Sequence, residues 1–459
     1  MLSLSRQASL FQDLLVQKMA NVFYREPGHE YPVAMKGEGV YLYDAQGRQY
    51  LDGSGGAAIS CLGHGHPEII NAIRKQLEEL AFAHTAFFTN RPQEELARVL
   101  AGQFGERGAR VYFLSGGSEA NETALKLSRQ YWVARDKPKK HLFISRHQSY
   151  HGNTLGALSI TGNAARRQAY GPILHDWPKI QPCYAYRHQG EGESEAEYGH
   201  RSAVALEQAI LQAGAVNVAA FIAETVVGAT LGAVPAVQGY FNKIREICDR
   251  YEVLLILDEV MAGRGRTGNW FAFEHEGIRP DIVTVAKGLG GGYQPIGAAI
   301  CRGFIHSAIV ESCGVFEHGH TYVGHATACA AGLAVARVIE ENGLLARVRE
   351  TGARLASLLT EQFRDHPHIG DIRGRGLLLG IELVEDRASR QPVSASLGLP
   401  AKIRNIAMHH GLICYPGGGT ADGVNGAHVL LAPPFIYEQQ HIDELVEKLS
   451  LTLNDIAYT

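Results

Sequence analysis

The chain has 459 residues, of which 46% are hydrophobic and 20% charged, and its formal net charge is −4. This length is enough for two domains or more with a large core, and the composition is that of a globular protein. The weak negative charge, without clusters that mix basic and aromatic residues, argues against a nucleic-acid or anionic-membrane partner.

The cysteines and the N-terminus bear on the compartment. None of the seven cysteines forms a CxxC pair and several have apolar neighbours, so we interpret them as buried thiols and expect a reducing, cytoplasmic location. Residues 1–25 lack the pattern of a secretory signal. Their apolar residues have the spacing of an amphipathic helix instead: Phe11, Leu14, Leu15 and Met19. Residues 213–237 contain polar residues and a proline, which favours a buried strand and loop over a membrane span.

The first predicted elements are a β-hairpin over residues 33–52 and a glycine-rich stretch that follows it. His64 and His66 in that stretch could ligate a metal. No third ligand has a usable spacing, so we predict no metal here.

Two helices come next. Pro67 begins a predicted helix whose apolar residues share one face: Ile69, Ile70, Ile73 and Leu77. Residues 94–104 are predicted to form the second helix.

A small-residue turn then joins a short strand, residues 111–114, to a helix. The turn reads Ser115-Gly116-Gly117-Ser118. Free backbone N–H groups at a helix N-terminus, with a serine hydroxyl beside them, favour phosphate binding. The alternative is that Ser115 or Ser118 merely caps the helix, but the pair of glycines favours the phosphate.

Two further buried strands are predicted at residues 141–145 and 218–223. The first leads to Tyr150, an aromatic that can stack on a planar cofactor or, alternatively, pack in the core. The second ends at Glu224, and a helix over residues 241–250 follows. Alternation of buried strands with helices predicts an α/β fold with a mainly parallel sheet.

The most informative stretch is the pair of strands that end at Asp258 and Lys287. Five apolar residues precede Asp258, and a second buried strand leads directly to Lys287. The ends of parallel strands are where α/β sheets bind ligands. Pyridoxal phosphate needs an amine to hold its aldehyde and an acid to keep its ring nitrogen protonated, so this pair favours that cofactor. A surface lysine and a turn aspartate are the alternative.

Two other motifs carry less weight. Residues 263–268 match G-x-G-x-x-G, but no amphipathic helix follows, and we reject a dinucleotide site. The histidines 318, 320 and 325 fit no strong zinc spacing, and no metal is predicted there either.

The C-terminal part has a different order of predicted elements. We predict one long helix over residues 326–364, strands near 369–383 and 428–432, a loop over 415–426 and a closing helix over 438–453. This pattern indicates a small α+β domain that packs with the N-terminal hairpin. The predicted divisions are an N-terminal segment 1–70, a large domain 71–335 and a small domain 336–459.

In this order, the motifs resemble those of the class III (subgroup II) aminotransferases, enzymes of pyridoxal-phosphate fold type I with ω-transaminases among them. The likeness covers nearly the whole chain. It rests on Ser115–Asn121, Tyr150–Gly152, Glu224, Asp258–Val260, Arg266–Gly268, Lys287-Gly288, Thr321-Tyr322 and Gly324-His325.

The resemblance implies a catalytic pair and a cofactor site. Lys287 would form the internal aldimine with pyridoxal 5'-phosphate, and Asp258 would pair with the pyridinium nitrogen. Tyr150 and Val260 would enclose the ring. The reaction would move an amino group from an amine or ω-amino acid to a keto acid.

The same resemblance assigns the remaining site residues and an assembly. Gly117 and Ser118 would hold the phosphate, and Glu224 would lie near the ring where substrate access is controlled. Thr321 would reach the phosphate of a neighbouring subunit. The active unit would therefore be a homodimer, or a tetramer built from dimers.

The chain departs from the family pattern at the usual carboxylate-binding arginines. One such position is Leu430, and the preceding loop, residues 415–427, has neither Arg nor Lys. This puts 2-oxoglutarate in doubt, favours donors without an α-carboxylate, and leaves pyruvate as the favoured acceptor. Arg91 or Arg264 could reach in from elsewhere.

Two stretches are candidates for the substrate cavity. Residues 55–58 and 82–88 combine small and aromatic side chains that suit an apolar pocket, although a core or interface role fits them equally. A racemase, decarboxylase or aminomutase on the same scaffold remains the alternative activity. The Asp258–Lys287 pair argues against a non-catalytic relative.

Overall fold

The computed structural model describes residues 21–456, so the predicted helix with Phe11, Leu14, Leu15 and Met19 lies outside the described residues. A seven-stranded sheet dominates. Across it the strands follow the order Arg110–Leu114, Gly297–Cys301, Ile282–Val285, Leu254–Asp258, Val218–Glu224, Leu142–Arg146 and Lys179–Ile180. Only Gly297–Cys301 runs antiparallel to its neighbours. The predicted α/β fold with a mainly parallel sheet is confirmed.

The central strands are buried on both faces because their alternate residues enter two different cores. Leu255 and Leu257 pack into one apolar cluster, while Leu254 and Ile256 pack into the other. The first cluster is covered by the helices Arg91–Phe104, Glu195–Ala213 and Tyr240–Arg250. The second is covered by Gly117–Ala134, Leu155–Ile160 and Gly303–Cys313. A two-faced core explains the continuous apolar runs in the sequence.

A second region joins both ends of the chain. The strands Ala34–Glu38, Tyr41–Asp44 and Gln49–Asp52 form an antiparallel meander, and Leu412–Ile413 extends it in parallel. An antiparallel sheet follows, made of Ile369–Arg375, Leu378–Asp386, Ala427–Leu431 and Tyr415–Gly418, with Gln391–Pro392 at its side. The helices here are Leu344–Gln362, Leu399–His409 and Gln439–Asn454. The predicted contact of the hairpin with the C-terminal region is present.

A buried ionic network links this region to the large sheet's periphery. Both carboxylate oxygens of Glu382 are paired: Arg373 Nη1 lies 2.6 Å from Oε2, and Arg187 Nη2 lies 2.5 Å from Oε1. The Tyr184 hydroxyl also donates to this carboxylate. Arg187 and Tyr184 belong to the long excursion before the helix Glu195–Ala213, so the network joins distant parts of the chain.

Two sequence-based expectations about elements were wrong in detail. The single helix over 326–364 is two helices, Ala326–Glu341 and Leu344–Gln362, because Gly343 adopts a left-handed conformation with φ of 60°. The expected loop from residue 415 begins with the strand Tyr415–Gly418. In the helix Pro67–Glu79, Ile69 is fully buried but Leu77 is 53% exposed in the single chain.

All seven cysteines are unpaired, and six are buried, with Cys313 the exposed exception. Between residues 21 and 456, no helix is both long and apolar enough to cross a membrane.

Candidate active site

The site is built on the carboxyl edge of the parallel sheet. In the strand register, Asp258 is directly opposite Glu224 on one side and Thr284 on the other. Lys287 follows Thr284 by three residues, after the strand Ile282–Val285 has ended. The fold therefore delivers two carboxylates and an amine to one edge, as the strand pattern in the sequence predicts.

Asp258 is 4% exposed and is held by three donors or partners. Asn121 Nδ2 donates to its Oδ2 over 2.7 Å, and His151 Nδ1 lies 2.8 Å from the same oxygen. The backbone N–H of Val260 donates to Oδ1 over 3.0 Å. Such bonds fix the direction of the carboxylate.

Asn121 and His151 hold Asp258 in place, and the sequence reasoning assigned neither of them a role. Asn121 Nδ2 also donates to the backbone carbonyl of His151, and the Thr284 hydroxyl donates to Asn121 Oδ1, each over 2.7 Å. Both side chains are buried, and His151 Nε2 has no hydrogen-bond partner. The available signal was the set of polar residues at buried positions of this helix, where Asn121 stands with Thr123 and Ser128 among apolar residues.

Lys287 lies at a strained point of the backbone. Its φ is 44°, which an L residue adopts only when its surroundings hold it there. Burial lowers the pKa of its amine to about 8, while the carboxylates of Asp258 and Glu224 act in the opposite direction. The buried guanidinium of Arg266 adds to the lowering. A large fraction of this amine is thus neutral, and nucleophilic, near pH 8.

Glu224 is buried and oriented by backbone donors. The N–H of Tyr150 donates to its Oε1 over 3.0 Å, and the N–H of Gly228 donates to its Oε2 over 2.9 Å. Burial raises the pKa of this carboxyl. Through the Tyr150 bond, Glu224 also fixes the backbone that carries the Tyr150 ring.

The predicted phosphate cradle is an uncapped helix N-terminus. The helix Gly117–Ala134 begins after Gly116, and no side chain caps it, so the alternative of a capping Ser115 or Ser118 is wrong. The Ser118 hydroxyl accepts a hydrogen bond from the N–H of Asn153 over 3.1 Å. Free N–H groups at such a helix end favour an anion.

The space beside the cradle admits no extra side-chain atoms. A Cβ on Gly117 would lie 2.8 Å from Val260 Cγ1, so the glycine allows Val260 to sit directly beneath the turn. The carboxylates of Asp258 and Glu224 are buried. The residues in front of them are all partly exposed, namely Gly117, Ser118, Tyr150, Val260 and Lys287. An amine, an acid behind it and an anion site fit pyridoxal phosphate.

The two arginines considered as carboxylate ligands are engaged elsewhere. Arg264 Nη1 donates to Gln103 Oε1 over 2.6 Å, and its guanidinium stacks over Trp270. Arg91 is exposed and pairs with Glu95 of the same helix. Leu430 is fully buried in a small apolar cluster with Ala58 and Met261, among others. The residues 55–58 therefore contribute at least one side chain to the apolar packing beside the site.

Thr321 is exposed in the single chain, and its side chain makes no hydrogen bond with any residue in the described range. Its neighbour Tyr322 packs against Phe82, with ring centroids 5.6 Å apart. Phe87 and Phe88 nearby in sequence are 80% and 67% exposed. We call these four aromatic residues, Phe82, Phe87, Phe88 and Tyr322, the aromatic face.

The histidines considered as metal ligands have other partners. His64 Nε2 lies 3.0 Å from Asp52 Oδ2, and His318 Nε2 lies 2.8 Å from the Thr123 hydroxyl. Across residues 21–456, no three His, Cys, Asp or Glu side chains are grouped as a metal site requires.

Comparisons with known proteins agree with this geometry. The model of the family "Aminotransferase class-III" matches residues 24–453. An uncharacterized aminotransferase of Schizosaccharomyces pombe is 44% identical over 95% of both chains. The putrescine–pyruvate aminotransferase of Pseudomonas aeruginosa is 36% identical over 93% of this chain and 91% of its own. The ω-transaminase of Pseudomonas jessenii, solved in complex with PMP, has a TM-score of 0.89 at 34% identity and covers 96% of each chain.

Proposed function

Because the chain belongs to the class III aminotransferases, which depend on pyridoxal phosphate, we propose that it moves an amino group from an amine or ω-amino acid to pyruvate. The observation that carries this proposal is the convergence of Asp258 and Lys287 at neighbouring strand ends. A buried acid behind a reactive amine, next to an anion cradle, suits amino transfer on pyridoxal phosphate.

The roles of the polar residues follow from their positions. When bound, pyridoxal phosphate supplies an aldehyde carbon that exchanges amines and a ring that accepts electrons from the substrate's α-carbon. Lys287 Nζ holds the cofactor between turnovers. Once released by the substrate amine, it takes the proton from the α-carbon and returns it on the cofactor side. Its lowered pKa keeps a neutral fraction available for this transfer.

Asp258 keeps the ring nitrogen protonated. Its carboxylate must not rotate, and the bonds from Asn121 and the Val260 N–H hold it in one orientation. Tyr150 and Val260 enclose the ring, while Gly117 and Ser118 bind the phosphate. Glu224 supports Tyr150 through its backbone N–H.

Pyruvate is proposed as the acceptor on two grounds. Leu430 occupies a carboxylate-binding position of the family with an apolar side chain that is fully buried. A large dicarboxylate such as 2-oxoglutarate would bring a second charge into this apolar packing, at a desolvation cost. The P. aeruginosa relative carries pyruvate in its name.

A homodimer, or a tetramer of dimers, is proposed as the active unit. The aromatic face leaves large apolar side chains in solvent, which a second copy of the chain would bury. Thr321, at the edge of this face, would then reach the phosphate of the neighbouring subunit. The unpaired cysteines support a cytoplasmic location, and the shared N- and C-terminal sheet supports the packing of the segment 1–70 with the small domain 336–459.

A half-reaction screen tests the proposed function. The pyridoxal form of the enzyme is mixed with single amines, and its conversion to the pyridoxamine form is followed by absorbance; pyruvate is then added to restore the starting spectrum. Full conversion by an amine and recovery by pyruvate would support the proposal. Conversion of one substrate to product without any pyridoxamine form would indicate a racemase, decarboxylase or aminomutase instead.

A further inference from the structure

The loop that follows Tyr150 folds back against it and is fixed there by hydrogen bonds. The N–H of Gly162 donates to the carbonyl of Ser149 over 3.1 Å, and the N–H of His151 donates to the Thr161 hydroxyl over 2.9 Å. A Cβ on Gly162 would lie 2.1 Å from the carbonyl oxygen of Arg146. This crossing requires glycine and sets the path of the chain beyond residue 162.

The crossing delivers Arg166 to the face of Tyr150. Asn163 caps the short helix Ala164–Arg167 by accepting a hydrogen bond from the N–H of Arg166. From this helix the Arg166 guanidinium lies 4.9 Å from the centroid of the Tyr150 ring. Arginine over an aromatic face is a favourable arrangement that leaves most guanidinium N–H groups free.

Arg166 carries an unused positive charge at the site. Its side chain is exposed and forms no ion pair or hydrogen bond with any residue from 21 to 456. Arg166 and Arg25 both oppose the effect of burial, which raises the pKa of Tyr150. Tyr415, at the start of the segment 415–427 that lacks a cation, raises the pKa of Tyr150 and so acts against the two arginines.

A keto acid nevertheless brings a carboxylate that some cation must receive. Leu430 offers no charge, Arg264 is bound to Gln103, and Arg266 is buried with Nη1 on the carbonyls of Leu377 and Pro433. Arginine binds a carboxylate with two parallel hydrogen bonds, which orients the acid as well as attracting it.

We propose that Arg166 is the carboxylate-recognition residue of this enzyme, reaching the keto acid from the Tyr150 side of the site. The inference rests on the proposed function and names its specificity residue. An α-keto acid of the size of pyruvate would be held by Arg166, while amine donors without a carboxylate would make no use of it. Arg25 would contribute a longer-range attraction for the same charge.

The test separates acceptors with a carboxylate from acceptors without one. The pyridoxamine form of wild type, Arg166→Gln and Arg166→Lys is reacted with pyruvate and, separately, with butanal. For Arg166→Gln we expect the KM for pyruvate to rise about 10- to 100-fold, the range for loss of a charge-assisted hydrogen bond. The butanal rate, and the half-reaction with 1-phenylethylamine, should stay within about twofold. Arg166→Lys should recover part of the loss.

The matched control is Arg354→Gln, which removes an exposed arginine from the helix Leu344–Gln362 and should change neither acceptor. An unchanged KM for pyruvate in Arg166→Gln would overturn the inference. Equal losses with pyruvate and butanal would also overturn it, because they would mean that Arg166 acts only by supporting Tyr150. Failure of wild type with every amine would instead refute the proposed transamination, independently of Arg166.

Discussion

Asp258 Oδ2 lies 2.8 Å from Nδ1 of His151, and both side chains are buried. The imidazole therefore shields the inner side of the carboxylate from water and limits its rotation. A charge fixed in this way acts more strongly than the same charge in solvent, because no reorganisation is needed when it is used.

Replacement of this carboxylate tests its role directly. We expect Asp258→Asn to cost at least about 2 kcal/mol of transition-state stabilisation, or about 30-fold in kcat, because the amide cannot hold a protonated ring nitrogen. Steady-state kinetics with pyruvate provides the measurement. Asp281→Asn is the control, since Asp281 is an equally buried strand-end carboxylate that pairs with Arg245 instead. Asp281→Asn should lower the free energy of unfolding and leave kcat unchanged. A loss of kcat in Asp281→Asn together with an unchanged kcat in Asp258→Asn would contradict the assignment.

Lys287 should be indispensable for both catalysis and covalent retention of the cofactor. We expect Lys287→Ala to abolish turnover and the visible absorbance of the bound cofactor, because Lys287 is the amine that follows the strand Ile282–Val285 at this edge of the sheet. Borohydride reduction of the wild-type enzyme followed by peptide mass spectrometry should find the cofactor on Lys287. Attachment to another lysine, or turnover by Lys287→Ala, would refute the role.

The rate of cofactor loading should depend on pH in a specific way. Burial lowers the pKa of Lys287 to about 8, and only the neutral amine attacks an aldehyde. The rate at which apoenzyme binds pyridoxal phosphate covalently should thus rise about tenfold per pH unit below 8 and level off above it. Stopped-flow absorbance from pH 6 to pH 10 measures this profile. A rise that continues to pH 10 would show that the amine has an ordinary lysine pKa.

The turn at the phosphate cradle should tolerate no added methyl group. In Gly117→Ala the new Cβ would press on Val260, which lies within 2.8 Å, and would push it towards the ring. We expect cofactor affinity to fall about tenfold or more, measured by titration of apoenzyme. Gly102→Ala is the control: its Cβ would meet nothing within 4 Å in the helix Arg91–Phe104. Equal affinities in the two variants would exclude close packing at Gly117.

The buried network around Glu382 should contribute to stability and not to chemistry. Glu382→Ala leaves Arg187 without its carboxylate and Arg373 with only that of Asp371, and we expect a loss of about 3–5 kcal/mol in the free energy of unfolding. Glu193→Ala, which breaks a surface pair with Arg201, should change the free energy of unfolding far less. Urea unfolding of both variants provides the comparison. Similar losses of unfolding free energy in Glu382→Ala and Glu193→Ala would mean that the buried pairs of Glu382 stabilise the fold no more than a surface pair does.

How far the sequence could predict this site depends on the range of the interactions involved. Asp258 and Lys287 could be predicted because each ends a continuous apolar strand, and parallel strands end at a common edge. The bonds of Asp258 to Asn121 and His151 could not, because they depend on how closely a helix and a loop approach the strand. The direction of Arg264 depends on its own positive φ of 59°, which no local pattern in the sequence indicates.

The helix break at Gly343 had a local signal, the Asn342-Gly343 pair, but apolar periodicity on both sides concealed it. Exposed Leu77 on an amphipathic helix is a different case. Periodicity shows that a helix face is apolar without showing whether the same chain or a second copy covers it.

The parallel pairing of Leu51 with Leu412 has a consequence for how the protein is made on the ribosome. The strand Gln49–Asp52 has no partner on this edge until Leu412–Ile413 is synthesised, about 360 residues later. At roughly 5–20 residues per second, this delay is on the order of 20–70 s, during which the nascent hairpin has an unpaired edge. Nascent chains of this enzyme should therefore need protection until the strand Leu412–Ile413 has been synthesised.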